Sequence, residues 1–147
     1  QVRCGDFDAA ILATAGLERL GMVNAACEEF SIDEIVPAPA QGAMAIQARR
    51  DDVGNWRLCA ELDDAATRTA ATAELAFLRH YERDREWVAA AYATVDGDCV
   101  TLRARLLSRD GRRVEDVRVN AVDPLEAATE ALRQLALRVG QPEESLR

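Results

Sequence analysis

Trp87-Val88-Ala89-Ala90-Ala91-Tyr92-Ala93-Thr94-Val95-Asp96-Gly97-Asp98-Cys99-Val100-Thr101-Leu102-Arg103-Ala104-Arg105-Leu106 reads as two strands joined by a tight turn. Trp87 to Val95 is the first strand, and Asp96-Gly97-Asp98 is the turn. In the second, Val100, Leu102, Ala104 and Leu106 alternate with Thr101, Arg103 and Arg105, so one face is buried and the other wet. Arg109-Asp110-Gly111 makes a second turn into a third strand, Val114 to Ala121. Its apolar parity switches between Val114 and Val117, and a bulge is expected there.

Helices flank this meander. Asp63-Asp64 caps one that runs to about Glu82, with Ala66, Ala70, Ala73, Phe77 and Tyr81 on one stripe. Asp123-Pro124-Leu125-Glu126 starts another with capping-box spacing and proline at the first helical position. Leu125, Ala128, Leu132, Leu135 and Val139 form its expected buried stripe, and Gly140 ends it. A shorter helix, from Val53 to about Leu62 behind Asp51-Asp52, turns Trp56, Cys59 and Ala60 to its apolar face. Three antiparallel strands with helices on one face make an α+β domain, assigned to residues 51–147.

Residues 1–50 read differently. Phe7 to Ala13 has the pattern of a short buried strand, Thr14-Ala15-Gly16 of a turn, and Leu17 to Leu20 of a short helix stopped by Gly21. Asn24 to Phe30 offers a further helical turn or two. One βα unit cannot form a sheet alone, so it calls for upstream strands or for a second copy in a dimer. Val36-Pro37-Ala38-Pro39-Ala40-Gln41-Gly42 follows as an extended segment and a turn, then Ala43 to Ile46 as a short strand. This stretch has the character of a crossover, the kind of place where ligand clefts form. The chain also lacks an initiator methionine, which fits a fragment of a longer protein.

The 147 residues are 49% apolar and 30% charged, the balance of a globular chain with a real core. A net charge of −8 argues against nucleic acid and anionic membranes as partners. No apolar run has the length of a membrane span. All the basic residues are arginine, which fits codon usage or surface adaptation better than function. Cys4, Cys27, Cys59 and Cys99 are widely spaced with no C-x-x-C pair, so no metal site is expected and reduced thiols in the cytoplasm are the default.

Chemistry-bearing motifs are few. His80, the single histidine, has the surroundings of a solvated helix end. Helix capping accounts for both aspartate pairs, and Arg79, Arg83 and Arg85 alternate with Glu82, Asp84 and Glu86 as a self-paired face does. Arg19 stands apart. It follows the Gly16 turn after a strand pattern, where open α/β sheets bind ligands, and an arginine there suits a carboxylate.

Several stretches together resemble the hydroxymethylbilane synthase (porphobilinogen deaminase) family. Phe7 to Gly21 is similar to its Y-D-A-I-I-L-A-x-A-G-L-x-R-L-G, and Pro37 to Arg49 to its P-A-V-G-Q-G-A-x-G-I-E-C-R. Thr72 to Arg79 resembles T-A-E-R-A-F-L-R. Ala91-Tyr92-Ala93, Leu102-Arg103-Ala104 and Asp110-Gly111 follow in the family's order. The resemblance implies an enzyme that condenses four porphobilinogen molecules, with ammonia release, into hydroxymethylbilane for tetrapyrrole and heme synthesis. It also implies two domains like type II periplasmic binding proteins and a third carrying a dipyrromethane primer on a cysteine. Residues 1–50 would then be a partial α/β segment of the first two domains, and 51–147 the third. Arg19 matches an arginine that contacts substrate carboxylates, and Gln41 and Gly42 match the family's turn. The family's catalytic aspartate would lie upstream of Gln1.

This chain departs from the pattern at the cofactor loop. Where the family reads F-L-R-x-L-E-G-G-C, this sequence has Phe77-Leu78-Arg79-His80-Tyr81-Glu82-Arg83-Asp84-Arg85. Arg85 stands at the cysteine position, and a guanidinium forms no thioether. Ala40 replaces the first glycine of G-Q-G, and Gln47-Ala48-Arg49 replaces E-C-R. No covalent dipyrromethane and no activity of this chain alone are therefore expected. The other reading is a non-catalytic module that binds porphobilinogen, a linear tetrapyrrole or a protein partner, with Arg83 and Arg85 holding carboxylates. A third keeps the enzyme and moves the primer to Cys99 or Cys59.

Overall fold

The computed structural model describes residues 2–81 and 86–140, and the chain forms two compact units, Gln1–Ile35 and Val36–Arg147. The second unit is built on the meander. Strands β1 (Trp87–Asp96), β2 (Cys99–Ser108) and β3 (Val114–Ala121) form one antiparallel sheet in that order. Pairing runs unbroken from Trp87 against Ser108 to Asp96 against Cys99. Gly97 turns the first hairpin at φ +57° and Gly111 the second at +71°, a backbone region in which a Cβ is strained.

The second pairing is equally continuous, from Val100 against Ala121 to Leu107 against Val114, so the expected bulge is absent. Val117 and Val119 face the core while Val114 is 53% exposed. The parity switch is one valine on the open face of the sheet, with no extra residue in the strand.

Helices α3 (Ala65–Tyr81) and α4 (Pro124–Val139) bury the other face, and are numbered after α1 (Thr14–Arg19) and α2 (Val53–Ala60). Phe77, Leu102, Leu106 and Leu135 are the largest wholly buried side chains, and Ala73, Ala91, Ala104, Ala127 and Ala131 fill the spaces between. Such small residues let helix and sheet backbones approach closely, at the cost of little side-chain entropy. Asp64 caps α3 by accepting from Thr67 N–H at 2.7 Å. Asp123 caps α4 by accepting from the N–H groups of Leu125 and Glu126. Gly140 closes α4 in the left-handed conformation.

Two stripes shift from expectation. In α4 the buried line is Ala128, Ala131, Leu132 and Leu135 with Ala127 and Ala136, while Leu125 in the capped first turn lies 53% exposed. In α3, Ala66 is exposed and burial begins further along, at Ala73 and Glu74. Helix α2 ends at Ala60 and buries no residue, so the Trp56, Cys59 and Ala60 face is not part of the core.

The first unit consists of α1 and two short 3-10 turns, Val2–Cys4 and Val23–Ala25, with no strand among its described residues. Phe7 to Ala13 is irregular, and Ile11 is 78% exposed. Ala43 to Ile46, in the second unit, is also not a strand. A strand exists only as part of a ladder, and an apolar run of seven residues with no paired edge has no backbone reason to extend. The periplasmic-binding-protein-like character expected of this region is thus not seen.

Candidate functional site

The crossover segment and the edge of β1 form the most constrained polar site of the second unit. An edge strand turns alternate N–H groups outward, away from its neighbour in the sheet. On β1 these include Ala91 and Ala93. Ala91 N–H donates to the Pro37 carbonyl at 3.1 Å, so the proline segment lies along this edge. Pro37 has a carbonyl to offer but no N–H, and a proline is compatible with this rim. Val36 and Pro39 are buried.

Ala93 N–H donates instead to Glu74 Oε1 at 2.7 Å, and the other oxygen, Oε2, accepts from Ala40 N–H at 2.6 Å. Glu74 is 7% exposed, the sole buried charged residue among those described. Burial pushes its carboxyl above the ordinary value, and the two N–H donors pull against that shift without cancelling it. Ala40 has φ +60°, the only non-glycine residue described with a positive φ. The turn it opens carries Gln41 and Gly42, both exposed, and is closed by Gln41 N–H to Ala38 O and Ala43 N–H to Ala40 O. A Cβ on Gly42 would meet nothing within 4 Å, so the turn leaves open space there.

Gln41 and Gly42 thus sit together at the tip of an anchored turn. Arg19, the last residue of α1, is exposed and belongs to the first unit. Arg85 lies outside the described residues, as do Glu82, Arg83 and Asp84. Glu74 and the strained Ala40 are the residues that sequence reasoning missed. A signal existed: Glu74 lies four residues after Ala70 and three before Phe77, which puts a carboxylate on the buried stripe.

A second polar cluster braces the open face of the sheet. Asp116 on β3 accepts from Arg103 Nε at 3.1 Å and Arg105 Nε at 2.7 Å, and its carbonyl accepts from Arg138 Nη1 at 2.6 Å. These bonds tie β2, β3 and the end of α4. The guanidinium of Arg113 lies 5.1 Å over the Trp87 ring. In the two aspartate pairs Asp52 and Asp64 are the caps, accepting from Asn55 N–H and Thr67 N–H, while Asp63 holds Arg68 at 2.9 Å.

The second unit is thus an α+β module whose β1 edge is lined by the Pro37 carbonyl and the Glu74 carboxylate. Residues 1–55 match the family model described as "Porphobilinogen deaminase, dipyromethane cofactor binding domain". A porphobilinogen deaminase of Roseiflexus sp. (strain RS-1) is 42% identical over 126 residues, covering 85% of this chain and 42% of that protein. One of Corynebacterium glutamicum (strain R) is 44% identical over 114 residues, 76% of this chain and 38% of the relative. One of Thermobifida fusca (strain YX) is 38% identical over 143 residues, 92% of this chain and 45% of the relative. The chain is similar to porphobilinogen deaminases along most of its own length and spans less than half the length of these curated relatives.

The family uses a dipyrromethane cofactor. Attachment through a thioether needs a thiol; the position that the family resemblance implies for it falls on Arg85, outside the described residues. Cys99, exposed, pairs with Asp96 at the far end of β1, about 30 Å along the strand from Trp87 at some 3.3 Å per residue. Cys59 is on α2, outside the core. Among the described residues no helix is long and apolar enough to cross a membrane.

Proposed function

We infer that this chain is a porphobilinogen deaminase segment that contributes substrate-holding groups and does not carry out the condensation by itself. The observation that carries this reading is the identity to porphobilinogen deaminases along 76% to 92% of the chain, combined with Arg85 at the cofactor position. Arg19 holds a carboxylate of porphobilinogen or of a linear tetrapyrrole by charge-assisted hydrogen bonds, and the Gln41-Gly42 turn separately offers side-chain and backbone polar groups to a ligand of that kind. The exposure of all three supports access. Completion of the site by upstream domains, or by a second copy, is part of the reading. A cytoplasmic location is part of the reading, from the wide spacing of the four cysteines in the sequence.

Two measurements on the purified chain test this. Incubation with porphobilinogen should release no ammonia, and incubation with preassembled hydroxymethylbilane should leave the intact mass unchanged. Ammonia release would overturn the non-catalytic reading. A dipyrromethane adduct would show that another cysteine takes the primer. Calorimetric titration with porphobilinogen should show binding that Arg19→Ala weakens by about tenfold, the worth of one charge-assisted contact.

A further inference from the structure

We propose that Glu74 is the positioning residue of the Gln41-Gly42 turn: its carboxylate bridges Ala40 N–H and Ala93 N–H and thereby fixes where that turn presents its polar groups. The contacts are 2.6 Å to Ala40 and 2.7 Å to Ala93, at the short end for N–H···O hydrogen bonds. One oxygen serves each partner, so the side chain spans from α3 to the crossover and to the β1 edge at once.

Three features make this more than a chance contact. First, Ala40 has φ +60° with a Cβ present, a conformation that persists only when its surroundings enforce it. The Glu74 bond grips the N–H of that same residue. Second, Ala40 immediately precedes Gln41. If Ala40 relaxes to negative φ, the peptide that follows rotates and the Gln41 side chain and Gly42 N–H point elsewhere. Third, the two prolines leave the segment short of donors, since neither Pro37 nor Pro39 carries an N–H. Besides the Pro37 carbonyl bond to Ala91, Glu74 supplies a polar link between the turn and the sheet.

The chemistry of the bridge is specific to glutamate. Aspartate is one methylene too short to reach both amides from α3. Glutamine has one carbonyl oxygen, and its amide NH2 meets an N–H donor where the second oxygen stood, so it keeps one bond and loses the other. The geometric role of Glu74 stands on the contacts alone. Its consequence for ligand binding rests on the function proposed above.

The test uses the whole chain labelled with 15N. In Glu74→Ala, the Ala40 and Ala93 amides should lose about tenfold or more in exchange protection relative to the Leu102 and Ala104 amides of the central strand. The strong intraresidue Hα–HN cross-peak of Ala40, the mark of positive φ, should weaken in the same sample. In Glu74→Gln only one of the two amides should lose protection, which keeps the proposal testable if the alanine variant does not fold. Protection at both sites that merely tracks Leu102 and Ala104 would overturn the proposal, as would an unchanged Ala40 cross-peak. Porphobilinogen titration separates the two layers. Failure of the wild-type chain to bind sinks the functional reading and leaves the exchange result to judge Glu74. Wild-type binding that survives unchanged in Glu74→Gln, with the turn visibly rearranged, sinks the positioning role.

Discussion

The unit beginning at Val36 and the unit ending at Ile35 are both rich in apolar residues, and only one buries them. Phe77, Leu102, Leu106 and Leu135 are wholly enclosed, whereas the first unit buries no residue in its helix or its 3-10 turns despite Phe7, Ile11, Leu12 and Leu20. The difference is one of partners rather than of hydrophobicity. A hairpin finds its neighbour across a short turn, residues 97–98 between β1 and β2 and residues 109–113 between β2 and β3, so the three strands close on themselves. A strand of the βα type needs a parallel neighbour brought from a distant part of a chain. An apolar pattern therefore states a demand for burial, and local connectivity decides whether that demand is met.

The largest expected effect breaks this comparison if it fails. Phe77→Ala should destabilise the chain by about 3–5 kcal/mol in urea unfolding, the cost of a cavity in a closed core. Ile11→Ala should change stability by no more than about 0.5 kcal/mol, because 78% of Ile11 is already in solvent. Equal losses would mean that the first unit has a core after all.

A middle-sized effect concerns pH, where the same contrast between buried and exposed recurs among carboxylates. Asp52 and Asp64 at helix N-termini, and Asp110 in the second turn, are held below their ordinary value by hydrogen bonds from Asn55, Thr67 and Ser108 respectively. Glu130 is pulled down to about 2 by Arg133 and then Gln134. Such groups support the fold above the ordinary carboxylate range, and their support is lost as pH falls through their lowered values. Glu74 has the opposite sign. Its folded-state value is raised by burial above 4.5, so its contribution is full below that pH and declines as pH rises through the raised value. Urea midpoints measured from pH 3 to 8 should therefore fall on both sides of an optimum. Glu74→Gln, neutral throughout, should remove the decline on the upper side and leave the acid side. A profile identical in shape to wild type would show that Glu74 titrates as an ordinary surface carboxylate.

Legibility in the sequence followed the range of the interactions. The hairpin turns at Gly97 and Gly111, the cap at Asp123 and the stop at Gly140 each depend on a few adjacent residues, and all stand where the pattern puts them. The parity switch at Val114 was misleading because alternation reports burial only where both faces have definite neighbours. The open face of the sheet tolerates a valine. Leu125 fits the helical period but sits in the first turn, beyond the reach of the sheet. Glu74 was hidden for a different reason. Its partners, Ala40 and Ala93, contribute backbone amides, and a backbone amide leaves no mark in a sequence. Gln41 and Gly42 were legible through a family resemblance, but the device that holds them was not.

The smallest effect sharpens the comparison at the point where the second unit begins. Ala40 is an L-residue in left-handed space, a position where the related family pattern has glycine. The left-handed conformation costs alanine about 1–2 kcal/mol, while glycine adds about 0.5–1 kcal/mol of unfolded-state entropy to be lost. Ala40→Gly should thus stabilise the chain by about 0.5–1 kcal/mol, visible as a higher urea midpoint at unchanged slope. The Ala40 amide bond to Glu74 needs no side chain at position 40, so it survives the change. In the Glu74→Gln background the gain should shrink, because alanine is then freer to relax from the strained φ and has less strain for glycine to relieve. A loss of stability on Ala40→Gly in either background would mean that the alanine Cβ packs favourably against the segment and that the turn stores no strain for Glu74 to contain.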